Sequence, residues 1–488
     1  MKGDEAGPSS LQSPTLQSCS EKDIELESGR KREEILGEIK KQLLLSGPLI
    51  VVNLLQFSLR MISVMFVGHL GELSLSSISM ATSFGGVTGF SLLLGMGSAL
   101  DTLCGQAYGA KQYHMLGIHM QRAMIVLTIV SIPISFIWAY TGRILVAVGQ
   151  DPMISMEAGL YARWMVPSIF TYGLLQCHVR FLQTQSIVIP MMISTGITVL
   201  LHAVVCWVLV FKSGLGNKGA ALVISISYWV NVALLAIYVN FSSACKKTWT
   251  GLSREALNDI LNFLRLAVPS ALMVCLEFWS FQLIVLLSGL LPNPKLETSV
   301  LSISLNTCSM VYMIPFGLSS AVSTRVSNEL GAGRPQAARL AVCVVVVVTI
   351  SLGAVVGLAT ILVRNVWGYV YSNEVEVVKY VATLMPLIAL SDFINGIQSV
   401  LSGTARGCGW QKTGALINLG AFYIVGIPTA VLLAFVFHVG GKGLWMGMIC
   451  ALFVQSVLLT AITLRTNWDQ EARKAKDRVN SSSIPINT

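Results

Sequence analysis

Two carboxylates stand where a carboxylate is expensive. Glu277 lies near the middle of the run Leu272-Met-Val-Cys-Leu-Glu-Phe-Trp-Ser-Phe281, with no Lys or Arg between Arg265 and Lys295. Asp392 lies likewise in Pro386-Leu-Ile-Ala-Leu-Ser-Asp-Phe-Ile-Asn-Gly396. A charged carboxyl deep in an apolar membrane segment costs several kcal/mol, so such residues face the protein interior or a wet cavity and mark proton or ion pathways. Asn395 at i+3 and Ser399 at i+7 share the helical face of Asp392, a polar stripe of the kind that lines a cavity. Should the two acids meet in space, a shared proton or a bound cation would stabilise them. Neutral polar side chains add candidate cavity walls: Asn306, with Met310 and Met313 on its side, Tyr312 and Asn395 in the second half of the chain, Asn53 and Gln56 in the first. Arg60 is placed to snorkel at one end of its run, and Asp101, at the end of another, to cap it or pair with a loop base.

The elements that carry these residues follow from composition. Only 12% of the 488 residues are charged while 54% are apolar, about half the charge a water-soluble chain carries. Much of the surface therefore need not meet water, which excludes collagen, coiled coil and a disordered chain and indicates a polytopic membrane protein. Runs of 18 or more apolar or small residues fall at 43–67, 78–100, 120–141, 161–181, 188–211, 219–241, 264–290, 299–322, 340–363, 381–402, 414–436 and 441–464. The fold class expected is all-α, with 12 transmembrane helices. The weakest spans are 161–181 and 381–402. Residues 1–42 and 465–488 read as tails, the first of them disordered.

An even number of crossings puts both tails on one side, and 24 of the 33 Lys and Arg fall there against nine opposite. The positive-inside rule then makes both termini cytoplasmic. The halves are related. An offset of 221 superposes Pro48 on Pro269, Phe57 on Phe278 and Gly68 on Gly289; at 222, Ser98-Ala99 meets Ser320-Ala321 and Gly109-Ala110 meets Gly331-Ala332; near 219, Pro167 meets Pro386. Six crossings per repeat is even, so the repeats enter the membrane from the same side and are related by an axis along its normal. This divides the chain into an N-lobe, 43–241, a linker, 242–263, and a C-lobe, 264–464. The mates of Glu277 and Asp392 are Gln56 and Gly173, both uncharged, so the C-lobe is the expected ion-handling lobe. Pro48, Pro167, Pro269 and Pro386 sit at repeated places and are candidate bending points.

Absences narrow the function. No phosphate-binding loop of the Gly-x4-Gly-Lys-Ser/Thr type occurs, and the six His show neither metal-ligand spacing nor a Ser-His-Asp set, so neither enzyme chemistry, nor a metal, nor a cofactor is expected. The net charge of +9 is scattered between apolar runs, not gathered into the patch that nucleic acid requires. Cys104, Cys177, Cys206, Cys275, Cys308, Cys343 and Cys450 lie in or beside apolar runs and read as free thiols. The expected partners are the lipid bilayer, protons and small organic substrates, and the expected state is a monomer.

Five stretches carry a resemblance: Cys104-Gly-Gln-Ala-Tyr-Gly-Ala110, Pro269-Ser-Ala-Leu-Met-Val-Cys-Leu-Glu-Phe-Trp279, Leu286-Leu-Ser-Gly-Leu-Leu-Pro-Asn-Pro294, Arg325-Val-Ser-Asn-Glu-Leu-Gly-Ala-Gly333 and Leu401-Ser-Gly-Thr-Ala-Arg-Gly-Cys-Gly-Trp-Gln411. Over about residues 35–465 the chain resembles the multidrug and toxic compound extrusion family, in its plant detoxification branch. The resemblance implies a proton-coupled antiporter that exports organic compounds or xenobiotics, often cationic, by alternating access, with Glu277 and Asp392 matching the family's acids of the seventh and tenth helices. The alternative it leaves is a flippase-like exporter of lipid-linked or amphipathic cargo. Plasma membrane and vacuolar membrane both fit.

Overall fold

The computed structural model describes residues 14–371 and 373–482. Twelve long helices follow one another: α1 (Pro14–Gly68), α2 (Glu72–Gly109), α3 (Tyr113–Ala139), α4 (Pro152–Thr184), α5 (Ile189–Lys212), α6 (Gly216–Phe241), α7 (Ile260–Ser288), α8 (Pro294–Gly331), α9 (Pro335–Leu362), α10 (Val375–Cys408), α11 (Gln411–Val436) and α12 (Gly441–Arg465). A shorter helix, α13 (Trp468–Ser482), ends the described chain. Among the described residues eleven of these are long and apolar enough to cross a bilayer. The one below that threshold is α4, which contains the weak span 161–181. It is 33 residues long, and Gln176, His178, Arg180 and Gln183 lower its apolarity. All four are buried, so the neighbouring helices and not lipid receive them. Elsewhere apolar stripes face outward: Ile193, Ile197, Leu200 and Val204 on α5, and Val347, Val355 and Leu358 on α9, are exposed. In water such faces would need a cover; acyl chains suit them.

One hydrophobic core is built mainly from α1–α6, and others from α7–α13, giving two six-helix lobes. The contacts between them obey the repeat. Helix α1 packs on α8 and α2 packs on α7, and each pairing is the other's mate under a shift of six helices. Single residues repeat the relation: a Cβ on Gly109 would overlap the Asn328 carbonyl oxygen, and one on Gly331 would overlap the Gln106 carbonyl oxygen. Only glycine permits backbones to come so close, as at small-residue crossings of membrane helices. Short π-turns recur in the same way, at Val208–Lys212 in α5 and at Leu432–Val436 in α11.

None of Pro48, Pro167, Pro269 and Pro386 interrupts its helix. The irregular turns lie elsewhere, at the π-turns of α2, α5 and α11, where an extra residue widens the helix. The tails also differ from expectation. Helix α1 runs back to Pro14 through most of the segment read as disordered, and near the lobes it is docked, with Glu38 and Gln42 buried; residues 1–13 lie outside the described residues. Most of the second tail forms α13, which buries Trp468, Ala472, Ala475 and Val479 on one face, the spacing of an amphipathic helix. Cys104, Cys177, Cys206, Cys275 and Cys308 are free and buried, Cys450 is free and half-buried, and Cys343 is free and exposed.

Candidate functional site

Glu277 projects from the middle of α7 into the interior of the C-lobe and is half-buried. Its Oε2 accepts a hydrogen bond from Gln398 Nε2 of α10 at 3.1 Å, and Gln398 also donates to Ser402 Oγ at 3.0 Å. Gln455 of α12 approaches the same carboxyl and donates to Asn418 Oδ1 at 2.7 Å, while Asn418 Nδ2 donates to the Met273 carbonyl at 2.7 Å. A chain of amides thus leads from the acid back to its own helix one turn earlier. Tyr312 of α8 and the Arg406 guanidinium of α10 lie within electrostatic reach. Four helices therefore meet at one titratable group, and a change in its charge is felt by all of them.

Asp392 is buried on α10. Its Oδ1 accepts from the Cys308 thiol at 2.8 Å, and among the described residues neither its Oδ2 nor Asn395 Oδ1 has a hydrogen-bond partner. It lines a cavity between α8, α9 and α10 with Val311, Pro315, Thr349, Gly353 and Phe393. The stripe continues in the expected register: Ser399 Oγ lies 3.5 Å from Tyr312 Oη. The two acids share no direct partner among the described residues, and the route between them is one face of α8, where Cys308 touches Asp392 and Tyr312, one turn on, faces Ser399 and Glu277. Asp392 has a weak thiol donor and, among the described residues, no counter-charge, so replacing it with a neutral isostere breaks no ion pair. Asp392→Asn is accordingly expected to keep the melting temperature of the wild type and to lower gradient-driven flux on the order of tenfold; a variant that melts earlier and pumps normally would assign Asp392 to architecture alone.

The remaining candidates lie on α1 and α8. Asn53 and Gln56 on α1 are half-buried, Tyr312, Met310 and Met313 on α8 are half-buried, and Asn306 is exposed. Arg60 is exposed, its guanidinium 5.8 Å from the centroid of the Phe57 ring.

On the side where α1 begins and α12 ends, hereafter the tail side, the lobes are sealed together. Gln106 Nε2 donates across to the Gly407 carbonyl at 3.2 Å, and its repeat mate Asn328 donates through Nδ2 to the Thr184 carbonyl at 3.0 Å. Thr102 donates to the Arg406 carbonyl and accepts from Gln411 Nε2 at 2.7 Å. Gln183 Nε2 donates to the Ser320 carbonyl and to Thr324 Oγ1, both at 3.1 Å. Helix α13 adds a strap, because Arg478 donates to Gln106 Oε1 at 2.6 Å. Glu38 of α1 grips Arg325 of α8 through two bonds of 2.9 and 2.8 Å, a bidentate pair. Nearer the middle the Cys275 thiol reaches Ser91 Oγ at 3.6 Å and Trp279 Nε1 donates to the Val87 carbonyl at 3.0 Å.

At the centre of the seal stands Asp101, fully buried. Its Oδ2 lies 3.4 Å from Arg180 of its own lobe and 3.6 Å from Arg406 of the other. From sequence Asp101 is expected to cap its helix or meet a loop base; the partners are two helix arginines instead, because α2, α4 and α10 converge there. Arg180 and Arg406 count in the sequence only as charges that orient the chain in the membrane, which conceals this role. The available signal is Arg406 within Ser402-Gly-Thr-Ala-Arg-Gly-Cys, a stretch of small residues suited to close packing and not to a solvated loop.

Comparison with known proteins places the chain. The MatE family matches residues 48–208 and 269–432. Protein DETOXIFICATION 16 of Arabidopsis thaliana is 64% identical over 453 residues, 93% of each chain, and Protein DETOXIFICATION 15 of the same plant is 58% identical over 94% of each. Among solved structures, that of the eukaryotic MATE transporter AtDTX14 superposes with a TM-score of 0.89 at 50% identity, covering 91% of this chain and 100% of the other. A point mutant of the Vibrio cholerae MATE transporter VcmN shares the fold at a TM-score of 0.81 and 16% identity, covering 92% of this chain and 100% of its own.

Proposed function

Since the chain belongs to the MatE family of multidrug and toxic compound extrusion transporters, we propose that it exports small organic compounds in exchange for protons, with Glu277 and Asp392 as the groups that carry the coupling. It is an integral membrane transporter and not an enzyme. The observation that supports the site assignment is the setting of Glu277: one half-buried carboxyl on which α7, α8, α10 and α12 converge, so that a proton gained or lost changes the energetics of the whole C-lobe. We take the tail side as cytoplasmic from its excess of Lys and Arg. The structure is then closed toward the cytoplasm, and substrate leaves on the far side between the faces that bear Asn53, Gln56, Asn306 and Tyr312. Asn395 belongs to the inner wall beside Asp392.

The organisation proposed is an N-lobe of residues 43–241, a linker of 242–263 and a C-lobe of 264–464, working as a monomer. Plasma and vacuolar membranes are both consistent with it, since each puts the proton-rich compartment opposite the tails. Proton binding and substrate binding must favour different conformers, because a ligand with equal affinity for both moves nothing. The test is transport of a fluorescent organic cation by purified protein in liposomes, with and without an imposed pH gradient. Uptake that follows the gradient and collapses with a protonophore is the expected result; gradient-independent exchange overturns proton coupling.

A further inference from the structure

The seal and the acid are joined through one residue. Arg406 places its Nε 3.6 Å from Asp101 across the lobe interface, donates to Ser319 Oγ at 2.8 Å, and extends its charge to Glu277 and Tyr312. Arg180 shares the same Asp101 oxygen at 3.4 Å. Two guanidinium groups thus converge on one buried carboxylate. With Glu277 ionised the four groups sum to zero; with Glu277 protonated the closed seal encloses one positive charge too many. Buried charge without compensation is strongly unfavourable, and opening the seal relieves it by parting Arg406 from Arg180 and admitting water.

We propose that Arg406 is the positioning residue that couples Glu277 to the tail-side seal: the seal is held closed by charge balance among Asp101, Arg180, Arg406 and ionised Glu277, and protonation of Glu277 opens it by leaving the arginine pair under-compensated. The inference rests on the reading of Glu277 as proton carrier. It supplies the direction of the cycle that exchange requires. A proton taken from the far side reopens the transporter toward the tails, and its release there lets the seal close on a new substrate.

Other titratable groups face this cluster: Cys104 on α2 beside Asp101, with Cys177 on α4 beside it, Tyr172 on α4 within reach of Arg180, and Tyr312 on α8. The variants below separate them from Glu277.

The experiment places spin labels at Lys111 and Lys412, both exposed on the tail side of opposite lobes, with the other reactive cysteines replaced, and measures their separation in lipid nanodiscs between about pH 8 and about pH 5. The expected wild-type result is a long-distance population that grows on the order of tenfold as pH falls. Glu277→Gln leaves the cluster positive at every pH and is expected to stay open and pH-independent. Adding Arg406→Gln to it restores neutrality and should restore closure. Arg406→Gln alone should invert the dependence, closed at low pH and open at high pH. Arg180→Gln removes the other guanidinium from the same carboxylate and predicts the same inversion should Arg406→Gln not fold, while Arg406→Lys keeps the wild-type sign. A Glu277→Gln protein that still responds to pH as wild type does would dispose of Glu277 as the carrier. A flat Glu277→Gln together with an unaltered sign in both arginine variants would leave Glu277 standing and overturn the charge-balance coupling.

Discussion

Glu277→Gln is expected to reach wild-type folded yield and to lose gradient-driven export on the order of a hundredfold, the upper part of the range for coupling between two ligands. The substitution keeps the shape of the side chain and an oxygen that can still accept from Gln398, which donates to the carboxyl at 3.1 Å. What it removes is titration. Gln56→Ala supplies the comparison. Gln56 is the repeat mate of Glu277, half-buried on α1, and its loss should reduce transport far less, because the N-lobe position holds no proton to exchange. Flux of one organic cation across liposomes under a fixed pH gradient, normalised to the folded fraction from thermal melts, gives both numbers. Equal losses in the two variants would mean that the two positions are matched structural anchors and that the coupling group lies elsewhere.

The second large effect is expected at Gly331. A Cβ there would overlap the Gln106 carbonyl oxygen and lie 2.7 Å from the Gln106 Cα, a clash with backbone that no rotamer change relieves. The contact crosses the sealed lobe interface, so Gly331→Val is expected to penalise the closed conformer and to spare one in which the lobes part. Overpacking of this kind typically costs about 1–3 kcal/mol, against the about 5.5 kcal/mol that drives a two-state equilibrium from one extreme to the other, so a partial shift toward the open conformer is expected. Export should fall by about tenfold to a hundredfold, while a membrane-impermeant thiol reagent gains access to Cys408 from the tail side; Cys408 is 2% exposed in the sealed state. Gly196→Ala is the control, since nothing lies within 4 Å of a Cβ added there, and it should transport as wild type does. Normal export by Gly331→Val would show that the seal closes without this helix contact.

How far a feature is legible in the sequence depends on the kind of interaction behind it. The apolar runs, the repeat and the two membrane acids are all readable, because lipid imposes a one-dimensional rule: long apolar runs must span, and ionisable groups within them must have a purpose. Residues 14–42, read as a disordered tail, are helical in the structure for the converse reason. Polar composition signals that a segment does not face lipid, but not whether a neighbour such as Arg325 awaits Glu38. Prolines are equally ambiguous, since a missing donor in a spanning helix can be absorbed by neighbours: Pro48, Pro167, Pro269 and Pro386 lie within continuous helices, and wide turns stand at other places, Val208–Lys212 and Leu432–Val436.

By itself, then, the sequence determined that this is a polytopic membrane protein of two related halves with its two mid-span carboxylates, Glu277 and Asp392, in the second, since span length, charge asymmetry and the repeat are properties of order along the chain. Only the tertiary structure decided that Asp101, Arg180 and Arg406, separated by 79 and 226 positions, share one buried site, and that Glu277 and Asp392 keep separate partners. Charge balance in a poorly hydrated interior depends on distance in space, and the packing of α2, α4 and α10 sets that distance.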